Sequence, residues 1–106
     1  MLFIETSTFT RLLPEHLDDD GYAALQAFLS VHPEAGDVIR GTGGVRKIRW
    51  TMPSRGKRGG SRVIYYWLAK EDHIYLLTLY AKGAKADLTS TEREAWRKAV
   101  TAIDND

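Results

Sequence analysis

The first third of the chain begins with one short alternating segment, which is followed by apolar residues at helical spacing. Residues 2–6 alternate weakly between apolar and polar side chains and predict an opening strand. Ser7 or Thr8 is placed to cap a following helix, and Pro14 within that helix predicts a kink or an early end. The apolar face of this helix follows the pattern i, i+3, i+4, i+8 and consists of Phe9, Leu12, Leu13 and Leu17.

Three consecutive carboxylates, at residues 18–20, precede a second set of apolar residues at helical spacing. Negative side chains stabilise the first turn of a helix because they face the positive end of its dipole. We therefore interpret the triplet as a helix start rather than a metal site, and we expect this helix to end before Pro33. Its apolar residues are Tyr22, Leu25, Phe28 and Leu29.

The spacing changes from helical to alternating after residue 36. Residues 37–40 predict a short strand, which is followed by the glycine-rich turn 41–44. Residues 45–51 then alternate between the two faces of a strand. One face carries Arg46, Ile48 and Trp50, and the other carries Val45, Lys47 and Arg49.

Two long strands and a last helix complete the pattern. Residues 61–69 and 73–81 are rich in β-branched and aromatic side chains, which predicts a hairpin with its turn at 70–72. Thr89 and Glu92 have the spacing of a capping box at the start of a helix. The apolar face of that helix consists of Trp96, Ala99, Val100 and Ile103.

The order strand, two helices, four strands, helix predicts an α+β fold. We expect a mainly antiparallel sheet of about four to five strands, with two N-terminal helices and one C-terminal helix packed on one face. At 106 residues, with 43% hydrophobic and 27% charged side chains, the chain has the size and composition of a single domain covering residues 1–106.

Composition also narrows the chemistry and the location. The chain contains no cysteine, which excludes disulfides, thiolate metal sites and cysteine nucleophiles. It has no apolar run long enough to span a membrane, and its first residues lack the pattern of a signal peptide. We therefore expect a cytoplasmic protein without a membrane partner.

The charges are strongly segregated along the chain. Residues 38–70 contain no Asp or Glu, yet they hold nine of the fifteen Lys and Arg residues. Acidic residues are concentrated on both sides of this basic segment, which brings the net charge to only +1. A positive segment between acidic flanks creates a local positive field, so the sequence predicts a polyanionic partner.

Two other kinds of site are disfavoured by spacing. The glycine-rich segments 41–44 and 56–60 match neither the dinucleotide-binding nor the Walker pattern, and each precedes a predicted strand rather than a helix. His16, His32 and His73 lie in three separate elements, so they lack the paired spacing of a metal site.

Aromatic residues are interleaved with the basic ones, as in proteins that stack unpaired bases. We assign Trp50, Trp67 and Trp96 to the core and keep Tyr80 as the functional aromatic residue. A solvated charged face is the usual interpretation of a basic run, but the lack of acids removes the ion pairs that such a face normally contains. A DNA-binding domain is disfavoured because the basic residues lie on strands and a loop instead of a recognition helix.

Three segments give the chain a resemblance to a known family. Arg46–Arg49, Gly56–Tyr66 and Leu76–Lys82 resemble the central block of the RelE superfamily of type II toxins. Gly36–Gly44 is typical of its HigB-like branch, and the similarity covers roughly residues 1–95. The resemblance implies a metal-independent endoribonuclease, an mRNA interferase that cleaves mRNA in the ribosomal A site. It also implies a cognate antitoxin, expected to be of helix-turn-helix type, through which alone the toxin would meet operator DNA.

The resemblance also implies roles for individual residues. Arg62 matches the arginine that stabilises the phosphate, and Lys47 and Lys82 match basic residues of the family's strands. Some members place a catalytic tyrosine in the C-terminal segment, but residues 83–106 contain none, so Tyr80 is the candidate for that role. The residues expected to bind RNA or the ribosome are Arg46, Arg49, Arg55, Lys57 and Arg58.

These residue types suit RNA cleavage by attack of the 2′-hydroxyl on the adjacent phosphorus. An arginine stays protonated and binds phosphate through two parallel hydrogen bonds, so Arg62 suits stabilisation of the developing charge. Lys47 or Lys82 is the candidate general base or acid. The alternative from the same basic patch is a non-catalytic module that binds RNA or the ribosome.

Overall fold

The elements of the chain follow the predicted order. The computed structural model describes residues 1–51, 60–83 and 89–105. In chain order the elements are β1 (Leu2–Glu5), α1 (Ser7–His16), α2 (Asp19–Val31), β2 (Asp37–Val38), β3 (Arg46–Trp50), β4 (Ser61–Leu68), a 3-10 turn (Ala69–Glu71), β5 (His73–Ala81) and α3 (Ser90–Asp104). The predicted α+β class is confirmed.

The five strands form one sheet in the order β1-β5-β4-β3-β2. β2 to β5 are antiparallel neighbours, whereas β1 runs parallel to β5, with Leu2 opposite His73. The sheet is therefore mixed, and the N-terminal strand forms one edge beside the last strand of the chain. β4 lies at the centre, where neighbours on both sides fix its position.

The helices cover both faces of the sheet, so the prediction of helices on one face is wrong. On the first face, Phe9 of α1 and Leu25 of α2 pack against Val63, and on the second, Val100 of α3 packs against Ile64. The reason lies in β4, where four consecutive residues, 63–66, are buried. A strand buried on both faces needs cover on both.

A β-bulge in β5 changes which side chains reach the α3 face. Ile64 lies opposite Thr78 but Tyr65 lies opposite Leu76, so β5 has one residue more than β4 at this point. Leu76 and Leu79 consequently belong to the α1–α2 core, while Leu77 packs with the residues under α3. The bulge also places Tyr80 on the α3 face, where it packs against the same cluster.

The helix ends are held largely as the sequence predicts. The Asp18 carboxylate accepts from the Gly21 backbone N–H at 2.7 Å, and Thr89 and Glu92 form the predicted capping box. The cap of α1 is Thr6 rather than Ser7 or Thr8. Its hydroxyl donates to the Leu77 carbonyl at 2.7 Å and accepts from the Phe9 N–H, which ties the helix start to β5.

The far end of α3 is fastened to the hairpin between β4 and β5. The Tyr66 hydroxyl donates to the Asp104 carboxylate at 2.6 Å, and the Lys70 ammonium donates to the Asp104 carbonyl at 3.0 Å. Burial raises the pKa of Tyr66 to about 12, and the hydrogen bond to the negatively charged Asp104 carboxylate is the second, smaller cause of this increase. None of the helices in the described part of the chain has the length and the hydrophobicity that a bilayer-spanning helix needs.

Candidate functional site

Three predicted site residues form a row across the three central strands of the sheet, β3, β4 and β5. Arg49 on β3 lies opposite Arg62 on β4, and Arg62 lies opposite Tyr80 on β5. Residues directly opposite one another in a sheet share a face. We call Arg49, Arg62 and Tyr80 the cross-strand row. It lies on the α3 face, at the end of the sheet where β3 stops and β4 starts.

The two predicted catalytic lysines lie next to this row. Lys47 precedes Arg49 by two residues on β3 and therefore shares its face, opposite Ile64. Lys82 follows the last residue of β5, and its backbone N–H donates to the Gly60 carbonyl at 3.2 Å, directly before β4. The fold thus brings Lys47, the cross-strand row and the Lys82 backbone to one end of the sheet.

A cavity of about 300 Å³ lies between the sheet and α3 beside the cross-strand row. Lys47 and Tyr80 form its floor, and Arg93 of α3 forms part of its wall. The remaining lining comes from β2 and the residues after it: Asp37, Val38, Ile39 and Arg40. Among the described residues that line the cavity, one is a carboxylate and three are cations, so the field inside favours an anion.

A compact turn holds the wall after β2 in place. Thr42 is completely buried, and its hydroxyl donates to the Ile39 carbonyl at 2.6 Å and accepts from the Val45 N–H at 3.0 Å. Gly41 has a φ of 81°, and a Cβ on it would lie 3.9 Å from the Cδ of Arg93. The glycine-rich segment 41–44 is therefore a turn, and the start of α3 packs against it.

Three charged residues that line the cavity were absent from the predicted site: Asp37, Arg40 and Arg93. The capping box at Thr89 fixes Arg93 in the first turns of α3. The sequence does not show that α3 packs on the same face as Lys47. Asp37 pairs with Lys47 across the sheet, but β2 is too short for its register to be read from alternation.

Arg46 is separated from the other predicted RNA-binding residues. It lies on the α1–α2 face, opposite Tyr65, and is half-buried. Its guanidinium Nη1 donates to the Glu34 carbonyl at 2.9 Å and to the Gly36 carbonyl at 2.8 Å. These contacts join β3 to the segment between α2 and β2. They give Arg46 a structural function.

Arg46→Ala is expected to destabilise the protein, whereas Arg49→Ala on the same strand is expected to leave stability nearly unchanged. Hydrogen bonds from charged groups stabilise by about 1.5–3 kcal/mol, and the half-buried Arg46 makes two, one to the buried Gly36 and one to the exposed Glu34, while Arg49 is exposed. Chemical denaturation of both variants measures the difference. Equal free energies of unfolding for the two variants would contradict this assignment.

The predicted core aromatic residues are confirmed. Trp50, Trp67 and Trp96 are half-buried and pack against the two cores, and the Trp50 indole donates to the Gly21 carbonyl at 3.1 Å. Tyr65 is fully buried, and its hydroxyl accepts from the Gly36 N–H and donates to the Pro33 carbonyl, each at 2.8 Å. Burial raises the pKa of Tyr65. Of the tyrosines in the described residues, Tyr80 is the one that lines the cavity.

The remaining predicted RNA-binding residues, Arg55, Lys57 and Arg58, lie outside the described residues. They belong to the segment that connects β3 to β4, between Arg49 and Arg62 in the sequence. Their assignment therefore stays a prediction.

Comparison with known proteins gives two findings. The family model described as the RelE toxin of the RelE/RelB toxin–antitoxin system matches residues 4–105. Among solved structures, the chain is similar to the crystal structure of the isolated E. coli RelE toxin, with a TM-score of 0.53 and 16% sequence identity. That match covers 96% of this chain and 97% of the other, and it shows a shared fold.

Proposed function

Because the chain belongs to the RelE toxin family of toxin–antitoxin systems, we propose that this toxin is an endoribonuclease that cleaves translated mRNA on the ribosome. The observation that supports this activity is the cross-strand row, with Arg62 on the central strand between Arg49 and Tyr80. A charged group flanked on both sides by paired strands is held more firmly than a group on a loop, as catalysis requires.

The proposed reaction is attack of the ribose 2′-hydroxyl on the adjacent phosphorus, with departure of the 5′-oxygen. The phosphorane that forms carries extra negative charge on its non-bridging oxygens. Arg62 donates two parallel hydrogen bonds to these oxygens, because its guanidinium stays protonated and matches their geometry. Arg49, exposed beside it, contacts the neighbouring phosphate and aligns the RNA across the sheet.

Proton transfer is assigned to the groups around Arg62. Lys47 lies on the same face as Arg62, and Tyr80 lies directly opposite Arg62. One of Lys47, Lys82 and Tyr80 removes the 2′ proton and another protonates the 5′-oxygen, and the 2′-oxygen forms a cyclic phosphate. Such positioned acid–base catalysis contributes about 10²–10⁴-fold. The ribosome supplies alignment of the mRNA, which saves the entropy of ordering a flexible strand.

The proposal extends to partners and location. Arg55, Lys57 and Arg58 bind phosphates of the RNA or the ribosome, and their contribution depends on salt because bound counterions are released. A cognate antitoxin of helix-turn-helix type holds the toxin inactive and provides its contact with operator DNA. The protein acts in the cytoplasm, where translating ribosomes are found, and works as one domain.

The deciding experiment uses ribosomes that translate a defined mRNA in a purified system. We expect cuts within the translated frame, a 2′,3′-cyclic phosphate or 3′-phosphate on the upstream fragment, and little cutting of free RNA. A matched mRNA with one 2′-deoxynucleotide at the mapped site should resist cleavage there, since the attacking hydroxyl is missing. If translation stops while every transcript stays intact, the non-catalytic ribosome-binding module is the correct function.

A further inference from the structure

β1 forms one of the two edges of the sheet, and its outer side has no strand beside it among the described residues. Such an edge presents a row of unpaired backbone N–H and C=O groups, to which another strand can add. Proteins usually protect an edge strand with lysine, proline or a bulge. β1 has the sequence Leu-Phe-Ile-Glu and pairs with β5 without a shift of register, so it has none of these protections.

The one charged side chain of β1 is directed away from this edge. The Glu5 carboxylate accepts hydrogen bonds from the Thr10 hydroxyl of α1 at 2.5 Å and from the Tyr22 hydroxyl of α2 at 2.6 Å. Burial, followed by this bond to Glu5, raises the pKa of Tyr22, so its hydroxyl remains a donor at neutral pH. Both hydroxyls hold the carboxylate on the α1–α2 face, and it does not shield the edge.

Two apolar side chains of β1 lie beside the edge on the α3 face. Leu2 and Ile4 lie opposite His73 and Tyr75, and Tyr75 packs with the residues under α3. Leu2 is 53% exposed, and Ile4 is half-buried. Among the described residues, neither side chain belongs to one of the two cores. They form an apolar strip that the rest of the domain leaves partly uncovered.

The backbone directions of β1 favour a second copy of this chain at the edge. The Leu2 N–H donates to the Asp72 carbonyl, directly before β5, at 3.1 Å. Successive residues of a strand alternate in direction, so the N–H and C=O groups of Phe3 and Glu5 point outwards. In an antiparallel pair, a residue of this kind exchanges two hydrogen bonds with the residue opposite it. Phe3 can therefore pair with its own counterpart, and the Glu5 N–H then reaches the Met1 carbonyl of the second copy.

We propose that two copies of this chain join through antiparallel pairing of β1, with Phe3 on the two-fold axis, into one sheet of ten strands. In this register Leu2 of each copy lies opposite Ile4 of the other, so the two apolar strips cover each other. The two Glu5 side chains lie at opposite ends of the strand pair, so no like charges are opposed. The edge is therefore complementary to itself, as a two-fold interface requires.

The proposed interface lies away from the cross-strand row. β1 is the first strand of the sheet, whereas the cavity is lined by β2, the last. The two-fold axis of an antiparallel strand pair is perpendicular to the sheet, so both α3 faces point in the same direction. The dimer presents two cross-strand rows that the pairing does not cover, and its formation is independent of the proposed nuclease activity.

The first test is analytical ultracentrifugation of the purified toxin from micromolar to millimolar concentration. We expect the mass to rise with concentration from 12.0 kDa towards twice that value. Leu2→Lys places a charge at the edge and should stay monomeric throughout. The control Val31→Lys changes a 70% exposed apolar residue of α2 and should dimerise like the wild type. Circular dichroism establishes that both variants are folded. A monomeric wild type, or a Leu2→Lys variant that dimerises equally, would overturn the proposal.

The second test determines the register of the two strands. The chain has no cysteine, so introduced thiols can be followed without background. The double variant Leu2→Cys, Ile4→Cys places thiols directly opposite each other, about 4.5 Å apart between Cα atoms, and should form a covalent dimer on mild oxidation. Each single variant leaves the two thiols on a diagonal of about 7–8 Å and should cross-link far less. Equal cross-linking by single and double variants, or a dimer that the double variant does not cross-link, would refute this pairing of β1.

Discussion

Arg62→Ala is expected to lower the single-turnover rate of mRNA cleavage on saturated ribosomes by about 10²–10³-fold, the usual effect of removing one donor from a transition-state site. The reason is the central position of Arg62, which pairs with Arg49 on one side and Tyr80 on the other. Saturation matters because it removes differences in ribosome binding, so that a lower rate reports lost transition-state stabilisation. In bacteria, induced expression of the variant should no longer arrest growth.

Two further variants make this result specific. Arg62→Lys keeps the positive charge but loses the planar pair of donors, so it should recover only part of the rate. Arg11→Ala removes an exposed arginine from α1, which packs on the opposite face of the sheet, and should cleave like the wild type. Circular dichroism establishes that each variant is folded. Equal cleavage by wild type and a folded Arg62→Ala protein would refute the catalytic role of Arg62.

Gly60→Ala is expected to lower the free energy of unfolding by at least about 2 kcal/mol, because the left-handed backbone alone costs a non-glycine residue 1–3 kcal/mol. Gly60 has a φ of 68°, and a Cβ there would overlap the Trp50 carbonyl oxygen and lie 2.8 Å from the Cα of Thr51. The melting temperature should fall by roughly 10 °C or more. The folded fraction should also cleave more slowly, because the Gly60 carbonyl accepts from the Lys82 backbone N–H two residues before Arg62.

Gly83 provides the matched control. Its φ of 84° resembles that of Gly60, but a Cβ at this position meets nothing within 4 Å among the described residues. Gly83→Ala therefore carries the cost of the left-handed backbone without the collision, about 1–2 kcal/mol. Differential scanning calorimetry of the two variants separates these effects. Equal losses of stability would show that the contact with Trp50 is unimportant.

The order of the elements could be predicted because local signals mark their limits. Asp18 and the capping box at Thr89 start helices where they were expected. Strict alternation also placed Lys47 and Arg49 on one face of β3, and the register confirms that face. Each of these signals acts between residues that are close in the sequence, so helix starts and strand faces can be predicted from the sequence alone.

Placement of the site depended on features that the sequence does not display. With strict alternation along β5, Tyr80 would share the α1–α2 face with Leu76, and the bulge moves it to the α3 face. Arg46 and Lys47 are equally basic neighbours, yet the Glu34 and Gly36 carbonyls accept hydrogen bonds from Arg46, while Lys47 lines the cavity on the other face. Arg93 lines the cavity because α3 packs over it. All three outcomes follow from tertiary contacts.

The parallel pairing of β1 with β5 has a consequence for the moment at which the protein becomes harmful. Thr6, directly after β1, bonds Leu77, 71 residues later, so the first strand has no partner until β5 (His73–Ala81) has been synthesised. Contacts this distant in sequence form late, because a long loop must close first. A nascent chain that still lacks β5 also lacks Tyr80, Lys82 and α3. We therefore expect a ribosome-bound chain that has not yet exposed β5 to be unable to complete the sheet or to assemble the proposed site.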